Sequence, residues 1–241
     1  MLLFMQKIAI IIPCYNEGKR LSNEHIHYLV QNTSIAIYLA NDGSTDNTSS
    51  IIMDMQNSYI NRCFAINYDI NQGKAQTIYK TVCHLIETQD YDYIGYFDAD
   101  FSTPPQEILR ILNELSINQY DFIFGSRVKL LNSKINRKWY RHIIGRIIIT
   151  IINFKLKLGI YDTQCGAKIL RKSIAKVAFS QPFYTSWLFD VEVFIRLNNN
   201  NLLVKAKEFP LLEWKDVEGS KLGLKTAIKI LKELYLLNKK Y

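Results

Sequence analysis

The chain has 241 residues, of which 48% are hydrophobic, and a formal net charge of +8. This length suits one α/β domain with a substantial core, and the absence of about 18 uninterrupted apolar residues argues against a membrane-spanning helix. The four cysteines form no C-x-x-C pair, and residues 1–5 lack the flanks of a signal peptide. We therefore expect neither a zinc cluster nor a secreted disulfide framework, but a reducing compartment.

The charge is divided unevenly along the chain. Residues 1–126 carry 7 Lys and Arg against 14 Asp and Glu, a net charge of −7, whereas residues 127–241 carry 23 against 8, a net charge of +15. An acidic half suits a metal site, and a basic half suits a phosphate-bearing partner or an anionic membrane surface. A solvated basic face on an ordinary protein is the alternative. Nucleic acid is not an expected partner, because its binders are not split in this way.

The first half alternates short β-rich runs with helical stretches. Strands are predicted at Lys7–Pro13, Ile35–Ala40, Cys63–Asn67, Tyr93–Phe97 and Tyr120–Phe124. Helices are predicted to open at Asp42–Asp46 and to span Gly73–Glu87 and Pro104–Leu115. This order predicts the α/β class, with a mostly parallel, twisted sheet covered by helices on both faces.

The second half is less regular. An isoleucine-rich helix is predicted over Tyr140–Leu158; it is too charged to span a bilayer but could lie in the membrane interface, a buried core helix being the alternative. Further predictions are a helix at Trp187–Asn198, a strand at Leu202–Phe209 and a basic amphipathic helix at Gly223–Asn238. With no repeat or linker, residues 1–241 are predicted to form a single domain.

Polar runs follow three of the predicted strands. They are Pro13–Glu17, Asn41–Asp46 and Asp98–Asp100. Ligands of parallel sheets bind at the carboxyl ends of the strands. The two aspartates in i, i+2 positions can hold one divalent cation that clamps a diphosphate, although a solvated strand end would look the same.

Together these runs resemble a known family. Pro13-Cys14-Tyr15-Asn16-Glu17, Asn41-Asp42-Gly43-Ser44-Thr45-Asp46, Asn71-Gln72-Gly73-Lys74 and Asp98-Ala99-Asp100 resemble the nucleotide-sugar half of glycosyltransferase family 2. The resemblance covers residues 7–127 and implies the GT-A fold, whose nucleotide-binding half is Rossmann-like. Residues 1–126 would then be the nucleotide-sugar and metal half, and residues 127–241 the acceptor half.

Runs in the second half are similar to the polyprenyl-phosphate sugar synthases, and among these most similar to the dolichyl-phosphate β-glucosyltransferase group. They are Gly125-Ser126-Arg127, Arg137-Lys138-Trp139-Tyr140-Arg141, Asp162-Thr163-Gln164-Cys165-Gly166, Trp187–Glu192, Trp214 and Gly219-Ser220-Lys221. Ser102 stands where dolichyl-phosphate mannose synthases often place glutamine, which favours glucose over mannose.

The resemblance implies roles for individual residues. A Mg²⁺ or Mn²⁺ ion would be held by Asp98 and Asp100. The nucleotide would be bound by Pro13, Tyr15, Glu17, Asp42, Gly73, Lys74 and Asp98. Asp42 could instead form a plain Asx turn or helix cap, and Lys74 could be a solvated lysine.

The acceptor half carries the remaining predicted site residues. Arg127, Arg141 and Asp162 are predicted to be catalytic, the two arginines by binding the acceptor phosphate. The predicted acceptor-binding set adds Arg137, Gln164, Asp190 and Glu192. For Asp190 and Glu192 the alternative is a charge pair on a helix face.

The resemblance implies an inverting transfer of a hexose, glucose by preference, from a UDP-sugar to a polyprenyl (dolichyl or undecaprenyl) phosphate. The protein would act peripherally on the cytoplasmic face of a membrane, where a membrane partner protein is a further candidate. One alternative is a family 2 enzyme that acts on a saccharide hydroxyl. The other is a non-catalytic membrane-surface scaffold.

Overall fold

The computed structural model describes residues 6–136, 139–156, 159–216 and 224–241. Within these ranges the strands are β1 (Ile8–Cys14), β2 (Ala36–Asp42), β3 (Cys63–Tyr68), β4 (Tyr93–Phe97), β5 (Phe122–Ser126), β6 (Lys134–Asn136), β7 (Ala167–Arg171), β8 (Ala206–Pro210) and β9 (Glu213–Lys215). The helices are α1 (Asn23–Asn32), α2 (Thr48–Ser58), α3 (Lys74–Thr88), α4 (Pro105–Asn118), α5 (Trp139–Leu156), α6 (Lys172–Ala178), α7 (Phe189–Asn199) and α8 (Leu224–Lys240).

Seven strands form one mixed sheet in the order β3-β2-β1-β4-β7-β5-β8. All neighbours are parallel except β7, which runs antiparallel to both β4 and β5. The short strands β6 and β9 pair in parallel as a separate ribbon. The predicted mostly parallel α/β sheet is therefore confirmed. Because β1 lies between β2 and β4, the strand order reverses there and opens a crevice at the carboxyl ends of β1 and β4.

The continuous apolar run of β1 is explained by burial on both faces. Ile8, Ile10 and Ile12 pack on one side with α1, α2 and α4. Ala9 and Ile11 pack on the other side with α3, α6 and α7. The prediction of helices on both faces is thus confirmed as well.

Several elements differ from the predictions. The helices α1 and α6 and the strands β6, β7 and β9 were not predicted. The strand predicted at Leu202–Phe209 begins at Ala206, because residues 201–205 form turns. The helix predicted to open within Asp42–Asp46 begins at Thr48, and Asp46 accepts a hydrogen bond from the backbone N–H of Thr48 at 3.0 Å. Asp42 instead ends β2.

A third apolar cluster joins α5, α7 and α8. One face of α5 is buried there, whereas Ile151 and Phe154 remain 47% and 88% exposed. Over its described side chains, the isoleucine-rich helix is therefore buried on one side and exposed on the other. Among the described residues, no helix is long and apolar enough to cross a membrane. The extent of the single domain stays a prediction.

Candidate active site

The predicted donor residues meet at the crevice between β1 and β4. Tyr15 and Glu17 follow the end of β1, and Asp98 and Asp100 follow the end of β4. The two strands are hydrogen-bonded neighbours, with Ile11 paired to Tyr96. The sheet therefore brings the two polar runs together because both follow the carboxyl ends of adjacent parallel strands.

Hydrogen bonds join the segment after β1 to the segment after β2. The backbone N–H of Asn16 donates to Ser44 Oγ at 3.0 Å, and Asn16 Oδ1 accepts from the N–H of Thr45 at 2.9 Å. The N–H of Glu17 donates to Thr48 Oγ1 at 2.8 Å. Together these contacts build one wall of the crevice, with the ring of Tyr15 at its rim, 43% exposed.

Asp42 holds the segment that precedes α3. Its two carboxylate oxygens accept from the backbone N–H groups of Gln72 and Gly73, at 2.9 and 2.8 Å. Gly43 lies so close to this segment, with φ +65°, that a Cβ would stand 2.7 Å from the nitrogen of Asn71. Asp42 is thus a structural anchor of the loop that presents Lys74, and a nucleobase contact for it stays a prediction.

Glu17, Asp98 and Asp100 form an acidic group at the base of the crevice. Burial and the neighbouring charge of Asp98 raise the pKa of Asp100. Burial also raises the pKa of Glu17, although Arg20 opposes this with a two-pronged contact at 2.7 Å for each nitrogen. A cation bound here would stabilise the ionised carboxylates of Glu17 and Asp100.

Lys74 is a second positive charge in this group, in addition to Arg20. Its ammonium pairs with Asp98 at 2.5 Å and lies 5.6 Å from the ring centroid of Phe189. Burial alone would lower the pKa of Lys74, but Asp98 and Asp190 together hold it above its ordinary value. Lys74 is therefore a permanent cation within reach of the predicted metal ligands.

The residues present fit a divalent cation. The described ranges contain no cluster of three or more His, Cys, Asp and Glu side chains arranged as ligands. The protein would thus contribute Asp98 and Asp100, and phosphate oxygens and water would complete the shell, as is usual for Mg²⁺. The ammonium of Lys74 on Asp98 already shows that a positive charge is accommodated there.

Arg127 and Asp162 form a two-pronged ion pair in which Asp162 is buried and Arg127 is partly buried. The Nε and Nη2 of Arg127 donate to Asp162 at 2.6 and 2.8 Å, and its backbone N–H donates to the same carboxylate at 3.1 Å. Asp162 holds the pKa of Arg127 above its ordinary value in spite of burial. The ring of Trp214 lies 5.2 Å from the guanidinium carbon. The pair engages two of the five N–H donors of Arg127.

Glu208 on β8 positions the segment that carries Asp162. Its carboxylate accepts from the backbone N–H groups of Tyr161 and Asp162 at 2.9 and 2.8 Å. Gln164, another predicted residue, donates its backbone N–H to Asp162 at 3.1 Å. Sequence reasoning missed Glu208, since nothing in the sequence of β8 shows that its glutamate accepts hydrogen bonds from a segment 46 residues away.

A buried polar network lies behind Asp98. Lys168 on β7 is fully buried; its ammonium lies 2.9 Å from Asp190 and donates to the carbonyl of Cys165 at 2.5 Å. Tyr96 donates its hydroxyl to Asp190 at 2.7 Å. A Cβ on Gly166 would stand 2.0 Å from Asp98 Oδ2. Sequence reasoning assigned no role to Lys168 or Gly166, although Gly166 stands in one of the motifs.

The structure does not bring all predicted acceptor residues to the crevice. Glu192 is fully buried and accepts from Thr185, Tyr184, Arg196 and Tyr241. Asp190 is 4% exposed and is engaged by Lys168 and Tyr96. These contacts engage both carboxylates with groups of the protein, and Glu192 forms a charge pair with Arg196 within α7, at 3.2 Å. Acceptor binding by Asp190 and Glu192 stays a prediction.

The other predicted residues are placed as follows. Pro13 is partly buried in β1, and Gly73, with φ +87°, is the N-cap of α3. Arg137 and the side chain of Arg141 lie outside the described residues.

Known proteins resemble this chain in sequence and in fold. The model of the family described as Glycosyl transferase family 2 matches residues 9–179. A dolichyl-phosphate beta-glucosyltransferase of Trichomonas vaginalis is 31% identical over 239 residues, covering 92% of this chain and 70% of that protein. The dolichyl-phosphate beta-glucosyltransferase of Homo sapiens is 27% identical over 237 residues, covering 90% of this chain and 70% of that protein.

The fold is also found in a solved structure. The crystal structure of glucosyl-3-phosphoglycerate synthase from Mycobacterium tuberculosis, in complex with Mn²⁺, UDP and glucosyl-3-phosphoglycerate, superimposes with a TM-score of 0.72. The match covers 97% of this chain and 80% of that chain at 12% identity. It confirms the predicted GT-A fold. The family match and the sequence relatives show that the chain belongs to glycosyl transferase family 2 and is a glycosyltransferase.

Proposed function

We propose that this glycosyltransferase moves glucose from UDP-glucose to a polyprenyl phosphate, with inversion at the anomeric carbon. The observation that carries the proposal is the pairing of two sites at one edge of the sheet. An acidic group with Asp98 and Asp100 lies on one side, and the Arg127–Asp162 pair follows β5 on the other. The relatives named dolichyl-phosphate beta-glucosyltransferase support this choice of donor sugar and acceptor.

On the donor side, Asp98 and Asp100 would hold Mg²⁺ or Mn²⁺, which when bound neutralises charge on the departing diphosphate. Lys74 would contact the diphosphate as a second, fixed positive charge. Pro13, Tyr15, Glu17, Asp42 and Gly73 would line the nucleoside. This proposal is supported by the hydrogen bonds that join the segments after β1, β2 and β3 into one wall of the crevice.

On the acceptor side, Arg127 would bind the lipid phosphate with N–H donors other than the two on Asp162, and Arg141 would assist. Asp162 and Gln164 would position Arg127. A phosphate monoester is largely ionised near neutral pH, so its oxygen can attack the anomeric carbon without a protein base. The new bond forms as the bond from that carbon to the UDP oxygen breaks, and UDP leaves with the electron pair.

We further propose that the protein acts peripherally on the cytoplasmic face of a membrane. The outward side of α8 carries Ile228, Leu231 and Tyr235, which are 55%, 64% and 71% exposed. Beside it an apolar groove of about 340 Å³ runs between helices; it is lined by Ile151, Ile152, Phe154, Val191, Ile195, Leu234, Leu237 and Asn238. Lysines on α8 would meet anionic headgroups.

A panel of radiolabelled nucleotide sugars tests the proposal. Purified protein is incubated with each donor, Mn²⁺ and either a polyprenyl phosphate or saccharide acceptors, and the product is extracted into organic solvent. We expect label from UDP-glucose in the lipid fraction. Label that enters only saccharides would overturn the lipid acceptor in favour of a sugar hydroxyl, and label from another donor would overturn glucose.

Two substitutions test the division of labour between the halves. Asp100→Asn should abolish turnover, because one of the two metal ligands is lost. Arg127→Lys keeps the positive charge but loses the planar guanidinium that can donate two parallel hydrogen bonds. The KM for polyprenyl phosphate should therefore rise about tenfold or more. The affinity for UDP, measured by calorimetry with Mn²⁺, should fall in the first variant only. Equal loss of UDP affinity in both would contradict this assignment.

A further inference from the structure

Two leucines face solvent at a closed turn shortly after β5. Leu131 is 91% exposed and Leu130 is 47% exposed. Ser133 closes the turn: its Oγ accepts from the N–H of Leu130 at 2.9 Å and donates to the carbonyl of Leu130 at 2.7 Å. Asn132 adopts φ +65°, a conformation that asparagine tolerates. We call residues 129–134 the leucine turn; its own hydrogen bonds hold a backbone shape that leaves both leucines in water.

The leucine turn stands at the same edge of the sheet as the proposed site. Strand β5 is antiparallel to β7, and β7 is antiparallel to β4, so β5 and β4 point the same way. Arg127 follows the end of β5 directly, two residues before the turn begins. The N–H of Lys134 donates to the carbonyl of Leu212 at 2.6 Å, and Leu212 is 45% exposed. A third leucine thus lies next to the turn.

The charges around the leucines are mainly basic. Lys129 and Lys134 flank them within the turn, and Lys215 lies on the adjoining strand β9. Glu213 stands opposite Lys134 in the β6–β9 ribbon and Asp216 follows Lys215, so these five side chains sum to a charge of +1. Glu107, which accepts from the N–H of Leu212, is paired with Arg110. An apolar tip with a basic rim complements an anionic lipid surface, where leucines enter the headgroup boundary and lysines reach the lipid charges.

We propose that the leucine turn inserts into an anionic bilayer and sets Arg127 at the depth of the acceptor's phosphate. The proposal rests on the function proposed above, because a lipid acceptor keeps its phosphate at the membrane surface. A bilayer is favoured over a protein partner since the apolar tip is only three leucines wide and its rim is cationic. The turn would act separately from α8, which belongs to a different apolar cluster of the fold.

The test compares two double variants. Leu130→Ser/Leu131→Ser removes the apolar tip. Ile60→Ser/Ile117→Ser is the matched control, because these isoleucines are 73% and 71% exposed and precede β3 and β5, at the opposite edge of the sheet. Binding is measured by flotation with phosphatidylcholine vesicles that contain phosphatidylserine. Transfer is measured to long-chain polyprenyl phosphate in those vesicles and to a short-chain, water-soluble polyprenyl phosphate.

The leucine variant should bind vesicles about tenfold or more weakly and lose vesicle transfer in proportion. It should keep transfer to the short-chain acceptor, and the control should resemble the wild type in every assay. Unchanged vesicle binding would overturn the proposal. So would equal loss of transfer to the short-chain acceptor, which would mean that the turn acts inside the active site.

A third variant, Leu131→Trp, reports directly on how deeply the leucine turn enters the bilayer. Its additional tryptophan emission should shift to shorter wavelength on vesicles and be quenched by lipids brominated in the acyl chain; emission that stays at the wavelength seen in water would contradict insertion. If the wild type transfers sugar to neither lipid acceptor, the proposed function fails. The vesicle binding and fluorescence of the variants would still decide whether the turn inserts.

Discussion

At the scale of single residues, the surroundings of Asp100 lower the stability of the folded protein when its carboxyl is ionised. Burial and Asp98 raise its pKa above the ordinary value of 3.8. A carboxyl whose pKa is higher in the folded state favours folding while protonated, and that contribution is lost as the pH rises through the folded pKa. At neutral pH without a divalent cation, the ionised Asp100 therefore destabilises the fold.

Asp100→Asn should thus stabilise the cation-free protein while removing activity. We expect a higher Tm than the wild type at pH 7 in EDTA, with a difference that shrinks as the pH is lowered and the wild-type carboxyl takes up its proton. Scanning calorimetry across this pH range measures it. Asp54→Asn, at an exposed position on α2, is the control and should show no such gain. A Tm for Asp100→Asn at or below that of the wild type at pH 7 would refute the argument.

At the scale of elements, local sequence patterns predicted the strands β1 to β5, of which β1 and β2 lie between two parallel neighbours. Strand β1 reads as an unbroken apolar run because both of its faces are buried, and β4 reads similarly. Strand β7 was missed because Lys168 interrupts its apolar run, and a charge there normally signals solvent. The partner that makes this lysine acceptable, Asp190, lies 22 residues further along the chain on another element. No local pattern contains that information.

In the candidate site too, local motifs predicted some features, and others depend on contacts between distant elements. Short motifs placed Asp98, Asp100 and Arg127 at strand ends and Lys74 at the start of α3, and the Lys74–Asp98 contact followed from the α/β order. Motif position did not distinguish carboxylates that line the crevice from Glu192, which is buried among the groups it holds. That distinction depends on tertiary packing of α7.

The Lys168–Asp190 pair ties β7 to α7, and through Tyr96 to β4. Lys168→Met should lower the free energy of unfolding by about 3–5 kcal/mol, because Asp190 is left charged and buried without its ion partner. Lys168→Met/Asp190→Leu should recover a large part of this loss, since no buried charge is left unpaired. Urea denaturation measures both. Strictly additive losses, with Asp190→Leu as the other single variant, would show that the pair is not coupled.

At the scale of the whole molecule, the charge asymmetry separates two tasks. The half that precedes residue 127 has a net charge of −7 and supplies the carboxylates that suit a cation. The half that follows has a net charge of +15 and supplies Arg127, the leucine turn and α8. A soluble anionic donor would reach the first half with its cation, and an anionic surface would attract the second. The molecule would therefore orient itself before any apolar group enters the bilayer.

This orientation predicts a salt dependence of membrane binding. Screening shortens from about 30 Å at 0.01 M salt to about 3 Å at 1 M, whereas burial of leucine is not weakened by salt. Flotation with phosphatidylserine-containing vesicles should therefore show binding that falls about tenfold or more over this range and then levels off. The remaining binding should be about tenfold or more weaker in Leu130→Ser/Leu131→Ser, with α8 supplying what is left. Neutral phosphatidylcholine vesicles, as the control, should bind weakly at every salt concentration. Binding to anionic vesicles that did not respond to salt would show that the basic half plays no part in attracting the protein to the membrane.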